Sequence, residues 1–196
     1  MGGAMSIVLF GSTSGSVTLQ EPAAAGSTVL TLPSASGTLI TTGSSGQSIP
    51  KAALPTGSVL QVVQSSYNIR IASSSDQFSD TNLSVNITPS SSSSKILVFG
   101  HQADCFKNSQ NNSNSIYLRL LRNSTEILLF ADRNLLTAGG GIENMATLPF
   151  HYLDSPATTS TITYKTQFRN FSNADLVSVQ QQTSSSSIII AMEIAA

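Results

Sequence analysis

The pattern of apolar and polar positions changes character near residue 57. Between Gly15 and Thr42 apolar residues come in short bursts on a fixed period: Gly15, Gly26 and Gly37 are 11 apart, as are Pro22 and Pro33, and Leu19 and Leu30 share one phase. Each unit reads as a glycine turn, a short strand (Val17 and Leu19; Val29, Leu30 and Leu32) and a proline break. An 11-residue period also suits a right-handed helical coil. Proline in each full unit and the β-branched residues argue for strands instead. One chain of such units cannot cover its own apolar face, so the repeat predicts an extended β-arm that oligomerises, as a homotrimer. Ahead of it, Ile7 to Phe10 is a short apolar run, a strand or an anchoring peptide, closed by Gly11 and Ser12.

A linker rich in glycine, serine and proline runs from Gly43 to Gly57, with one short helical turn expected between Ile49 and Pro55. The expected organisation is an N-terminal arm over 1–56 and a knob over 57–196. In the knob, alternating and fully apolar runs predict ten strands: Val59 to Gln64, Tyr67 to Ala72, Leu83 to Thr88, Lys95 to His101, Ile116 to Leu121, Glu126 to Ala131, Thr147 to Leu153, Thr161 to Arg169, Leu176 to Gln181, and Ser187 to Ile194. Turn signals separate them, among them Pro89 with the serines to Ser94, Arg122-Asn123-Ser124, Asp154-Ser155-Pro156, and Thr183 to Ser187. Regular short strands with no helical period predict an all-β, antiparallel, jelly-roll-like β-sandwich. Ile96 to Phe99 and Ile188 to Ile190 are apolar on both faces. One face suits the sandwich interior and the other a neighbouring subunit.

Composition narrows the chemistry. Only 10% of the 196 residues are charged and the net charge is −1, against about 25% charged in ordinary domains. Arg119, Arg122, Arg133 and Arg169 are scattered rather than aligned, so no nucleic-acid partner is expected. No apolar run approaches the roughly 18 residues of a membrane span, so no membrane insertion is expected. The start lacks the features of a secretory signal, the Gly2/Ser6 match to a myristoylation pattern is expected to be chance, and so are the sequons at Asn82, Asn86, Asn111, Asn123 and Asn170. Cys105 is the single cysteine and reads as a buried thiol.

Candidate chemistry is sparse. His101, Asp104 and Cys105 are close in sequence, as are His151 and Asp154, but a nucleophile needs a base within hydrogen-bond reach and a third group to orient it. Two histidines are too few for a histidine-based metal site. Glu126 and Asp132 flank one strand, and Glu143 and Asp154 fall in loops; nothing pairs them as a glycosidase requires. The Gly139 triplet has no phosphate-loop context. The expectation is therefore no catalytic residue, no cofactor-binding residue, no metal site and no enzyme. Two polar loops, Lys107 to Ser115 and Leu135 to Ala146, read as solvated. In an alternative reading they bind sugars, with Phe106, Tyr117 or Tyr152 as a stacking face.

The runs GSVTLQEPAAAGSTVLTLPSASGTL and GQSIPKAALPTGSVLQVVQ resemble the N-terminal repeats of structural proteins from tailed phages, especially those of cyanobacteria and other aquatic bacteria. ITPSSSSSKILV, LRLLRNSTEI and HYLDSPATTSTITYKTQFRN resemble the C-terminal β-domain of the same proteins. The resemblance covers most of the chain and implies a homotrimeric virion surface protein with a β-sandwich knob, found in that group as head decoration or at tail-fibre and tailspike tips. The repeat spans at most roughly 100 Å fully extended, an arm rather than a shaft, and no second domain for tail attachment is recognisable. The expected function is capsid decoration (cement) on the major capsid protein. The alternative is a short tail fibre or tailspike tip, with tail proteins and a host surface glycan as partners.

Overall fold

The computed structural model describes residues 7–10, 12–19, 54–108, 114–137, 143–173, 175–182 and 184–196. It divides into two units, Met1–Gln47 and Ser48–Ala196. Most of the 15–42 repeat, and the turn expected over Ile49 to Pro55 up to its last two residues, lie outside the described residues.

In the first unit, β1 (Ile7–Phe10) and β2 (Ser16–Leu19) form an antiparallel hairpin with Ile7 opposite Leu19 and Phe10 opposite Ser16. The apolar run is thus a strand. Gly15 closes the turn at φ +79°, a conformation that costs glycine nothing. Phe10 is 84% exposed.

The second unit is an antiparallel all-β sandwich, and the ten strands among its described residues correspond one to one with the ten expected. They are β3 (Val59–Tyr67), β4 (Ile71–Ser73), β5 (Ser79–Ile87), β6 (Lys95–Lys107), β7 (Ile116–Arg122), β8 (Thr125–Asn134), β9 (Asn144–Asp154), β10 (Ile162–Asn170), β11 (Val177–Val179) and β12 (Ser187–Ile194). One sheet has the order β5-β10-β7-β8. In the other, β6 is long enough to pair with β12 over its first half and β11 over its end, while β9 lies along its other edge. β3 pairs with β12 and β4 with β11, so β3/β4 and β11/β12 are each one interrupted strand. Two sheets of four result. Their pairing of β3 with β12, β5 with β10, β6 with β9 and β7 with β8 is a long hairpin wound on itself, the connectivity of a jelly roll.

Alternation builds the interior. Leu83, Val85 and Ile87 of β5, Ile162 and Tyr164 of β10, Ile96 and Val98 of β6, and Ile189 and Ala191 of β12 meet in one apolar cluster. Cys105, Ile116, Leu118, Phe168, Val177 and Val179 form a second. Between them runs a fully buried polar chain. Thr81 bonds Thr166, whose hydroxyl reaches Gln102 Oε1 (3.0 Å); Gln102 Nε2 and Gln180 Nε2 each donate to Ser187 Oγ (both 2.9 Å). Hydroxyls and amides are tolerated at this depth because most of them bond one another, Gln180 Oε1 being the atom of this polar chain without a partner.

The expected strand from Tyr67 to Ala72 is interrupted at 68–70, where the chain passes from the side of β12 to the side of β11. β6 also runs further than expected, to Lys107. That residue is fully buried, with Nζ donating to Thr137 Oγ1 at 2.6 Å, so it belongs to the strand rather than to a solvated loop. Asn114 and Ser115, at the other end of that loop, are buried as well, while 109–113 and 138–142 lie outside the described residues.

Gly100 of β6 sits opposite Ile189 of β12. A Cβ there would stand 2.0 Å from the Ile188 carbonyl oxygen and 3.0 Å from Ile189 Cα. Backbone cannot yield as a side-chain tip does. Gly100→Ala is expected to cost about 2–3 kcal/mol, seen as a lower midpoint in urea denaturation with an unchanged slope.

Candidate functional site

The two sheets present unlike exteriors. On the β5-β10-β7-β8 sheet the outward positions are mostly polar, many of them paired, although Leu129 on β8 is 42% exposed. Lys165 bridges Asp80 (2.9 Å), Arg119 bridges Glu126 (3.0 Å), Gln167 donates to Asp80 (2.6 Å) and Thr163 to Asn86 (2.7 Å). On the opposite sheet the register aligns apolar residues across four strands. Val62, Met192, Leu97 and Leu153 make one row; Ile190 and Phe99 continue the next beside Gln64 and His151; Ile188 and Pro149 follow beside Ser66 and His101. Val62 is 54% exposed and Leu153 52%. This is the face for which the two-sided apolarity of β6 and β12 called.

Strand alternation separates the candidate catalytic groups. His101 lies on the apolar exterior, its Nε2 3.0 Å from the Ser186 carbonyl. After the register shift between Gln102 and Cys105, with Asp104 at φ +44°, Cys105 points into the core. Burial, with the nearby Asp104 charge second, pushes the thiol far above its usual range. That is the reverse of what a nucleophile needs. His151 shares the apolar exterior, whereas Asp154, three residues on, is buried. Asp154 ties the sheets together, accepting from Arg122 Nη1 (2.9 and 3.1 Å), Tyr164 Oη (2.7 Å) and the Ser155 amide (2.9 Å). Burial and then that carboxylate push the Tyr164 hydroxyl well up. Glu126 is held by Arg119, and Glu143 borders a groove of about 350 Å³ with Phe106, Asn144, Met145, Gln181 and Gln182. Tyr152 packs against the core rather than offering a stacking face.

Two constellations were invisible locally. The first is Glu193, fully buried on β12. Its Oε1 accepts from Ser90 N and Oγ (both 2.6 Å), and its Oε2 from Gln61 Nε2 (2.6 Å). Burial alone would raise this carboxyl, but the bonds from Ser90, Gln61 and Ser94 outweigh it and hold the pKa at about 2. The serine run is therefore a turn wrapped around a carboxylate. The second is an arginine–aromatic ladder at one end of the polar sheet. Arg119 lies 3.8 Å over the Phe78 ring; Arg169 lies 5.2 Å from Phe78 and 3.9 Å over Tyr117. Tyr117 stacks on Phe171 at 6.1 Å, and Arg133 lies 3.9 Å over Phe171. Burial, then a bond to Asp132, raises the Tyr117 hydroxyl.

No protein-family model matches the chain, and no curated protein matches it. Among solved structures, it is similar to the VP2 subviral particle of infectious bursal disease virus, at 16% identity over 69% of this chain and 32% of that one, with a TM-score of 0.45. T=1 particles derived from the same virus give 16% identity over 75% of this chain and 35% of that one, also at 0.45. The Gx strain gives 15% identity over 70% and 33%, at 0.42. The chain spans about a third of the length of these structures.

Proposed function

We propose that this chain is a virion structural protein working as a homotrimer. Residues 57–196 form the knob, and the arm over 1–56 supplies both trimer contacts and attachment. The observation that carries the assembly reading is the contrast between the two exteriors. A solvated sheet carries mostly polar groups outside, and the β5-β10-β7-β8 sheet largely does so, with Lys165 and Arg119 in ion pairs and Leu129 its one strongly exposed aliphatic among the described strand residues. The β3-β12-β6-β9 exterior instead sets out contiguous rows of Val, Met, Leu, Ile and Phe, the composition of a contact patch. A second copy of this chain is the fitting occupant, because the rows carry almost no charge to be buried or repelled.

The virion setting rests on the resemblance of the repeat and knob segments to tailed-phage structural proteins. Within it, capsid decoration is preferred: a short arm bearing an exposed hairpin with Phe10 at its tip suits clamping onto the major capsid protein. The ladder of arginines and rings on the polar exterior favours a second reading, a short tail-fibre or tailspike tip that touches the host surface. Counting copies per purified particle by quantitative mass spectrometry separates the two. A number commensurate with the major capsid protein is expected for cement; a handful per particle would overturn it in favour of the tail.

A further inference from the structure

We propose that the Arg133 and Arg169 end of the polar sheet binds the anionic group of a saccharide, a uronate carboxylate or a sulfate ester. The site lies on the exterior opposite the apolar rows and so stays accessible in the trimer; to that extent it rests on the reading above.

The cluster is built at a cost to regular structure. Successive side chains of a strand point to opposite faces. Yet Asp132 reaches the Tyr117 hydroxyl while its neighbour Arg133 covers Phe171, the ring stacked on Tyr117. Two irregularities allow this: Arg133 takes φ +54°, and the β7–β8 register shifts between Ile116 and Leu118. A left-handed arginine is a conformation that costs free energy, and bulges of this kind re-aim side chains.

What they aim is a pair of guanidiniums held by rings. Arg119 is neutralised by Glu126 at 3.0 Å. Among the described residues, Arg169 meets two rings and donates to the Asn170 carbonyl (3.2 Å), and Arg133 meets one ring; neither lies in an ion pair. Stacking fixes the plane of a guanidinium and leaves its N–H edge pointing outward, weakly hydrated and ready for a planar or tetrahedral anion. With Tyr117 and Arg133 on its ring, Phe171 is still 36% exposed, and its exposed edge gives an apolar border against which the C–H groups of a sugar can rest. Asp80, Glu126 and Asp132 share this exterior. They repel a continuous polyphosphate but leave room for one anionic group lodged beside the two arginines, which favours a saccharide over a nucleic acid.

The test is calorimetric titration of the full chain with trigalacturonate, a sulfated trisaccharide, neutral maltotriose and a short DNA duplex. One or both anionic sugars are expected to bind, maltotriose not at all and the duplex more weakly; the tighter sugar identifies carboxylate or sulfate as the natural group. Arg169→Gln and Arg133→Gln should each weaken binding by about tenfold. Lys165→Gln, on the same sheet but outside the ladder, should leave it within about threefold. If the arginine variants fail to fold, the arginine Nε–H signals of the wild-type chain decide by NMR, with those of Arg133 and Arg169 expected to move. Silence toward both anionic sugars, equal or tighter binding of DNA, an equal loss from Lys165→Gln, or movement of other arginines alone would overturn the proposal. A chain that binds these sugars as a monomer would sink the trimer and leave this site standing; a trimer indifferent to them would do the reverse.

Discussion

Replacing Val62 and Leu153 together with glutamate is expected to leave a folded monomer where the wild-type chain forms the proposed trimer. The two residues sit at opposite ends of one row, on β3 and β9, with Met192 and Leu97 between them. Each is more than half exposed in the single chain, so a carboxylate there stays hydrated and costs the monomer little. In an assembly that buries the row, the same carboxylates lose their water with no cation opposite. Even about 3 kcal/mol per subunit for that desolvation raises the dissociation constant by more than about a hundredfold. Native mass spectrometry and sedimentation at micromolar chain concentration read the outcome. Ser84→Glu on the polar exterior serves as the control that should remain trimeric. A double variant that stays trimeric with an unchanged dissociation constant would move the contact elsewhere, and a wild-type chain that sediments as a monomer would remove the assembly reading altogether.

The strands of the knob were legible in the sequence because their signal is local. Alternation in Leu83-Ser84-Val85-Asn86-Ile87 and in Ile162 to Phe168 reports directly which side chains face the interior, and the burial of these strands follows it residue by residue. The apolar exterior was legible for the same reason: Ile188, Ile190, Leu97 and Phe99 occupy the parity that a solvated strand would give to polar residues.

What escaped was long-range pairing. No local rule tells that Gln102, Thr166 and Ser187 meet in the interior, since each alone reads as an ordinary polar residue at a strand end or centre. The interruption at 68–70 depends on β11 and β12 sharing one side of β6, which is a property of the sheet and not of the sequence Tyr67 to Ala72. His151 and Asp154 looked like a pair by spacing, but three residues along a strand lie on opposite faces, and alternation alone was enough to separate them. The ladder was missed because its arginines come from three different strands and are gathered by a bulge.

Glu193→Gln is expected to destabilise the knob by about 3 kcal/mol at neutral pH. The wild-type carboxyl has its pKa lowered from 4.5 to about 2, and every tenfold change in proton affinity is worth about 1.4 kcal/mol between the protonated and ionised forms. A depressed folded-state pKa means that the stabilisation is fully present above the unfolded value of about 4.5 and is lost as pH falls toward about 2. Glutamine keeps the volume but turns one acceptor oxygen into an amide that points N–H groups at Ser90 or Gln61, which are themselves donors. Its stability carries no such titration. Urea denaturation of both proteins at a series of pH values should therefore show a gap that is widest at neutral pH and narrows between pH 4.5 and 2. A gap of constant size across that range would mean that the loss comes from shape rather than charge, and that the serine turn does not depend on the carboxylate at its centre.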